Sequence, residues 1–245
     1  MRIPRNVHMF STAGMAARMR LFTVLFPLLL LAACSSLPRP DVDYRVGAEV
    51  ETLSTAVSVT IHTADSGMSG HGFMVYRRPD QLHLVMLSPF GTTLLEAFAR
   101  GDQITLVYPS RSTAYSGPVS DLPLQGGLQG WSMMRWVMDV DRPGSGMRNG
   151  TLERRNTLGG MEKVTFENGL VTAKVSADGS RVYYSRYAVF DGVPLATEID
   201  LRNDRNDQIR LVLDEPEINL PLDDAALLPR LDGMTILPLS DIKGL

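Results

Sequence analysis

Between His71 and Gly91 the chain reads HGFMVYRRPDQLHLVMLSPFG. Residues 71–78 are rich in strand formers, Pro79-Asp80 is a turn signal, residues 81–87 make a second apolar run, and Ser88-Pro89-Phe90-Gly91 turns the chain again. Two short strands in close succession predict an antiparallel pair. Positions 73–76 and 82–87 are apolar without alternation, so these strands have two faces to cover. A sheet made of them wraps around something or is capped by helices.

The same rhythm extends in both directions. Upstream, Val57, Val59 and Ile61 alternate with Ser58, Thr60 and His62, which predicts a strand over 56–63 and a hairpin through the polar turn at 65–70. Still earlier, Val46, Val50 and Leu53 recur at spacings of four and three and predict a short helix within 44–55. Downstream, strands are expected over 92–100 and 103–108 around Gly101-Asp102, and later over 162–167, 170–176, 181–190, 195–202 and 208–213. Asn168-Gly169 and Asp178-Gly179 are hairpin turns, because both residue pairs accept positive φ. The later strands alternate cleanly and have one wet face. A helical turn at 223–228 and a last apolar piece at 234–239 end the chain.

The middle is different in kind. Residues 122–130 are a Gly- and Gln-rich loop, and residues 131–138 predict two to three helical turns in which Trp131, Met134 and Met138 share a face. That face either packs on the sheet as an ordinary helix or forms the underside of a movable lid, since methionine adapts to varied apolar ligands. The expected class is therefore mainly β with helical inserts.

At the N-terminus Arg18 and Arg20 precede an apolar run from Leu21 that closes on Leu31-Ala32-Ala33-Cys34-Ser35. A basic start, a short apolar segment and small residues before a cleavage point make a secretory signal. Ending it on cysteine makes a lipobox, because a thiolate nucleophile accepts the diacylglyceryl group that palmitate-type chains complete. The expectation is a signal peptide over 1–33, lipid attachment at Cys34, and a Pro- and Asp-containing tether over 34–43. Met15 or Met19 would each open a more ordinary signal than Met1. The run from Leu21 to Ala33 is shorter than the roughly 20 residues of a spanning helix. Removing the four leader arginines leaves 20 bases against 27 acids, a net charge of about −7, which argues against nucleic acid as a partner.

Catalytic signatures are missing from the sequence. There is no G-x-S-x-G elbow, no phosphate-binding glycine loop and no zincin motif, so neither an enzyme nor a cofactor is expected. His62, His71 and His83 fall on three successive expected strands and could meet at a metal only in one register. They are better read as surface or hydrogen-bonded residues, and no metal is assigned. Asp139-Val140-Asp141 and residues 203–207 lack calcium-loop spacing and read as turns.

Taken in order, the strand with Gly72-Phe73, the Arg78-Pro79-Asp80 turn, Leu82-His83-Leu84, Ser88-Pro89-Phe90-Gly91, an apolar strand, Gly101-Asp102 and a strand ending near Tyr108-Pro109 resemble the LolB and LolA superfamily of bacterial lipoprotein-handling proteins. The resemblance runs from about Val57 to Tyr115. It implies an incomplete antiparallel barrel over 44–245 as one domain, with an apolar concave face closed by helices. It further implies a cavity for acyl chains of lipoproteins or lipids, a place at the outer membrane through lipidated Cys34 with the body in the periplasm, and a periplasmic carrier as partner. In that family an apolar residue on the loop after the third strand faces the membrane. The matching loop is Pro89-Phe90-Gly91, and Phe90 carries the role over; a turn phenylalanine folded into the core is the other reading. Trp131, Met134 and Met138 are the lid or cavity candidates. Two functions stand side by side: a carrier with an open cavity, and a non-carrier envelope-assembly lipoprotein of the same fold acting through protein contacts.

Overall fold

The computed structural model describes residues 40–63, 67–122, 129–205 and 207–242, with the backbone alone for 129–132. Six strands run in order, β1 (Thr52–His62), β2 (Gly67–Arg77), β3 (Gln81–Leu87), β4 (Thr93–Arg100), β5 (Gln103–Tyr108) and β6 (Thr113–Pro118). After the helix α1 (Gln129–Met138) come β7 (Gly150–Arg155), β8 (Met161–Glu167), β9 (Leu170–Ser176), β10 (Arg181–Phe190), β11 (Val193–Arg202), β12 (Gln208–Ile218) and the short β13 (Thr235–Pro238). All belong to one sheet of order β13-β6-β5-β4-β3-β2-β1-β12-β11-β10-β9-β8-β7. It is two six-stranded meanders joined where β1 pairs antiparallel with β12, Val57 opposite Leu213 and Ile61 opposite Ile209. Only β13 pairs in parallel, along β6. β7 and β13 are free ends of the sheet, so it is open and not a closed barrel.

Alternation sorts the strands into two faces. Leu53, Val57 and Val59 of β1, Leu82 and Leu84 of β3, Val164 and Phe166 of β8, and Ile199 and Leu201 of β11 enter one apolar cluster with Met134, Trp136 and Val137 of α1. Strands from both halves meet around one helix, which requires the sheet to curl around it. The outer face has its own cover. Leu231 and Met234 pack on Phe98, Val107 and Ala114, while Arg77 is paired with Asp224 at 2.6 Å and donates to the Leu222 carbonyl at 2.9 Å. His83 stacks on Phe98 with ring centroids 3.9 Å apart, and its two ring nitrogens meet the Ala226 carbonyl at 2.8 Å and Glu96 Oε2 at 3.0 Å. This C-terminal strap then rounds the sheet edge as β13 and buries Leu239 and Ile242 in the inner cluster. The doubly apolar β3 of the sequence is thus covered inside by the core and outside, in part, by a strap and not by a helix.

Two expectations fail. No helix forms within 44–55: Gly47 takes φ +78°, Val46 is exposed, and β1 has begun by Thr52. Tertiary pairing overrides the local period, because Asn219 at the end of β12 accepts from the Glu51 and Thr52 amides at 2.7 and 3.2 Å and fixes the chain as the start of a strand. The strands β6 and β7 were not expected either. β7 is an almost wholly exposed end strand and β6 reads TAYSGP, so neither carries an apolar alternation. Elsewhere the expected strands stand within a few residues, and a 3-10 turn over Asp224–Leu227 replaces the expected helical turn. His62, His71 and His83 do not converge: His62 lies opposite Gly67, His71 bonds Ser58 at 2.9 Å, and His83 lies opposite Val75.

Polar groups, as well as packing, fix α1. Lys174 of β9 lies opposite Val164 and points inward, where Nζ donates to the carbonyls of Trp136 at 2.6 Å and Asp139 at 2.8 Å. Those carbonyls belong to the helix C-terminus, which lacks intrahelical partners and carries partial negative charge. Glu162 of β8 accepts from Trp136 Nε1 at 2.7 Å and from Arg154 Nε at 2.9 Å, and lies 3.7 Å from Lys174 Nζ. Arg154 in turn forks onto Asp141 at 2.5 and 2.8 Å, and Tyr184 donates to the Val137 carbonyl at 2.7 Å. Burial pushes the Lys174 ammonium below the usual lysine range, opposed chiefly by Glu162.

Removing Lys174 strips the Trp136 and Asp139 carbonyls of their donor and takes one of two cations from the buried Glu162. Lys174→Ala is expected to cost about 3–5 kcal/mol, read as a lower urea midpoint; an unmoved midpoint would mean that the helix is held by packing alone. A second weak point is Gly72 on β2, where an added Cβ would lie 1.7 Å from the Val85 carbonyl oxygen of β3. Gly72→Ala is expected to destabilise by about 3 kcal/mol or more through backbone displacement, measured in the same titration.

Candidate functional site: the space under the helix

Two apolar spaces lie between the sheet and α1. One of about 70 Å³ is walled by Leu53, Val137, Tyr187, Leu195 and Leu213; the other, of about 190 Å³, by Leu82, Ala99, Met134 and Leu158. Tyr76 and Met138 belong to both walls. Neither space reaches the roughly 300–1,000 Å³ of an ordinary small-molecule pocket. Tyr76 is the fixed divider: its hydroxyl donates to the Pro79 carbonyl at 3.2 Å, and burial pushes the phenol up to about 12. Met138 is the adaptable one, half-buried and unbranched at the end of the helix.

Beside them opens a charged space of about 340 Å³, bounded by Glu49, Arg78, Asp141, Arg142, Arg154 and Arg155. Glu49, Arg78, Val140 and Asp141 line this vestibule and the smaller apolar space alike. Arg78 fastens the segment after α1 to the strand side, donating from Nη2 to the Val140 carbonyl at 2.9 Å and from Nε to the Val50 carbonyl at 3.4 Å. Arg142 pairs with Glu49 at 2.6 Å, and that hydrogen bond raises the guanidinium above its usual range. Asp139 and Asp141, which the sequence marks as a turn, are both occupied, Asp139 by the Thr157 hydroxyl at 2.6 Å and Asp141 by Arg154. Among the described residues no group of three or more His, Cys, Asp or Glu is placed to hold a metal.

The loop singled out in the sequence stands clear of the body. Phe90 is 93 % exposed, and its neighbours Pro89 and Gly91 are exposed too. Ser88 builds the turn: its Oγ accepts from the Phe90 and Thr92 amides, both at 3.2 Å, and its carbonyl accepts from the Gly91 amide at 2.9 Å. Gly91 takes φ +79°, a conformation that a side chain would strain. The ring is therefore presented outward by its turn. Leu94 on β4 and Phe73 on β2, both half-exposed on the outer face, continue the apolar surface toward this loop.

Of the helix candidates, Met134 is buried and Met138 half-buried, while the side chain of Trp131 lies outside the described residues, as does Cys34. The sequence reading missed Trp136 and Val137, which carry the helix's contact with the sheet, and missed the Glu162, Lys174 and Arg154 cluster. One signal was available: Glu162 stands two residues before Val164 and four before Phe166, on the buried parity of its strand. Glu49 and Arg78 had none.

A comparison with curated proteins gives no match. Among solved structures, a DUF1329 family protein from Desulfovibrio piger is 12% identical, with 73% of this chain and 90% of that one covered at a TM-score of 0.54, which shows a shared fold. A LolA superfamily protein from Nitrosomonas europaea is 10% identical, with 75% and 93% covered at a TM-score of 0.47. The family model described as outer membrane lipoprotein LolB matches residues 52–215, from the start of β1 into β12. By that match the chain belongs to the LolB family of outer-membrane lipoproteins.

Proposed function

We propose that this protein is a lipid-anchored carrier that takes acyl chains of lipoproteins or lipids between its sheet and α1 and releases them to the outer membrane. The observation that carries the reading is the pair of apolar spaces that meet at Tyr76 and Met138 under a helix whose C-terminal carbonyls are held by Lys174 and Tyr184. Swinging Met138 aside would join them into one apolar slot. The polar clamp on the Trp136, Val137 and Asp139 carbonyls holds the end of the helix as a pivot. In this reading Met134 and Met138 touch hydrocarbon, a role also proposed for Trp131 from its spacing of three and seven residues in the sequence.

The anchor is Cys34, freed by removal of residues 1–33 and joined to the body over 34–43. Among the described residues no helix is long and apolar enough to cross a membrane. Several acyl chains on one cysteine would hold the protein stably, where a single chain would not. Phe90 enters the lipid headgroup region or meets an incoming periplasmic carrier. The small volume of the spaces favours one rival reading, a lipoprotein whose concavity is filled by its own side chains and which acts through protein contacts.

Replacing Cys34 by serine is expected to shift the protein from the outer-membrane fraction to the soluble periplasmic or unprocessed pool; membrane fractionation identical to wild type would end the lipid-anchor reading. Phe90→Glu separates carrier from scaffold. Because the ring is exposed, its melting temperature should stay within about 1–2 °C of wild type, the range of a neutral surface substitution, while transfer of a lipoprotein to liposomes falls. Undiminished transfer would remove Phe90 from the mechanism and favour the scaffold.

A further inference from the structure

We propose that the charged vestibule selects the head of the bound amphiphile, and that Glu49 is its specificity-determining residue, accepting a hydrogen bond from an N–H or O–H donor next to the acyl chain. This rests on the acyl-binding reading above and adds to it the chemistry of the head group.

Glu49 has an unfilled acceptor in an otherwise filled surround. Its side chain is only 9% exposed, and Oε1 is taken by Arg142. Oε2 lies 3.4 Å from Arg78 Nη1 without the alignment of a hydrogen bond and has no other partner among the described residues. A buried polar atom left unmatched is costly and asks for an explanation. Arg78 cannot turn to supply the bond without releasing the Val140 and Val50 carbonyls. The Glu49 backbone is fixed by Asn219, which donates to its carbonyl at 3.0 Å and accepts from the Glu51 amide at 2.7 Å, and its side chain is held by the 2.6 Å pair with Arg142. The arginines around the vestibule are engaged: Arg142 by Glu49, Arg154 by Asp141 and Glu162, and Arg155 by the Gly159 carbonyl at 2.6 Å. The unfilled valence of this space is thus an acceptor and not a cation.

Its place fixes what can reach it. Glu49 stands on the wall shared by the vestibule and the smaller apolar space. An amphiphile crossing that wall puts hydrocarbon against Leu53 and Leu195 and its polar junction beside the carboxylate. A carboxylate can only accept. An amide N–H, an ammonium or a hydroxyl at that junction completes it, whereas an ester or a fatty-acid carboxylate offers no donor.

The test compares two probes that differ by one atom, N-methylpalmitamide and methyl palmitate, as competitors against a fluorescent fatty-acyl probe on the full chain carrying Cys34→Ser. The amide is expected to bind at least about tenfold tighter than the ester, the scale of a hydrogen bond to a charged acceptor. Glu49→Met, close in length and without an acceptor, should bring the two within about twofold, and Glu49→Gln should fall between. Equal binding of the two probes to the Glu49 protein, or a preference that survives in Glu49→Met, overturns the proposal with acyl binding intact. Failure of the fluorescent probe to bind at all removes the carrier reading and this inference together. Should Glu49→Met not fold, the ratio measured on the Glu49 protein decides by itself.

Discussion

An ammonium group inside the protein, Lys174, sets the terms for the concave face. Desolvating it carries a penalty of several kcal/mol that only close, well-aligned partners offset. The partners are two carbonyls at the end of α1 and the Glu162 carboxylate, which is itself held by Trp136 and Arg154. The helix therefore cannot leave its C-terminal seat without exposing a charge pair to an apolar interior. Its middle is held by apolar contacts of Met134 and Val137, which are non-directional and easier to remake elsewhere.

The outer face solves a different problem. An open sheet with unpaired end strands is a template for association, and here one end strand, β13, is only four residues long while the other, β7, is short and carries Glu153, Arg154 and Arg155. The strap that ends in β13 also covers Phe98 and Val107, and it lies largely beyond the family match, which stops at residue 215. What it leaves bare runs from Phe73 to Leu94 and Phe90. The apolar surface open to water and the apolar space under the helix are thus on opposite faces of the same strands.

Charge is distributed to suit this division. The vestibule gathers Arg78, Arg142, Arg154 and Arg155 with Glu49, Asp139 and Asp141, so that nearly every ion there has a counter-ion. The spaces next to it are lined mostly by aliphatic and aromatic side chains. Hydrocarbon-like and ionic surroundings thus meet along one wall, the feature on which the proposed binding of an amphiphile rests.

Local patterns in the sequence determined much of this protein. Alternation such as Val57, Val59 and Ile61, and turns such as Asn168-Gly169 and Ser88–Gly91, are fixed by neighbours a few residues away, so the β class and most strands were legible, while the outward direction of the Phe90 ring was left to the structure. The proposed lipobox is likewise a purely local pattern, since a peptidase reads a linear segment. Tertiary structure alone decided the rest. Whether 44–55 was helix or strand depended on Asn219, more than 160 residues away, and the end strands β6 and β7 owe their form to partners and not to composition. The pairing of Lys174 with the end of α1, and the meeting of Glu49 with Arg78 and Arg142 at the mouth, join segments far apart in the chain. No local pattern encodes such contacts, because a buried charge is tolerated only where the whole fold brings its partners to it.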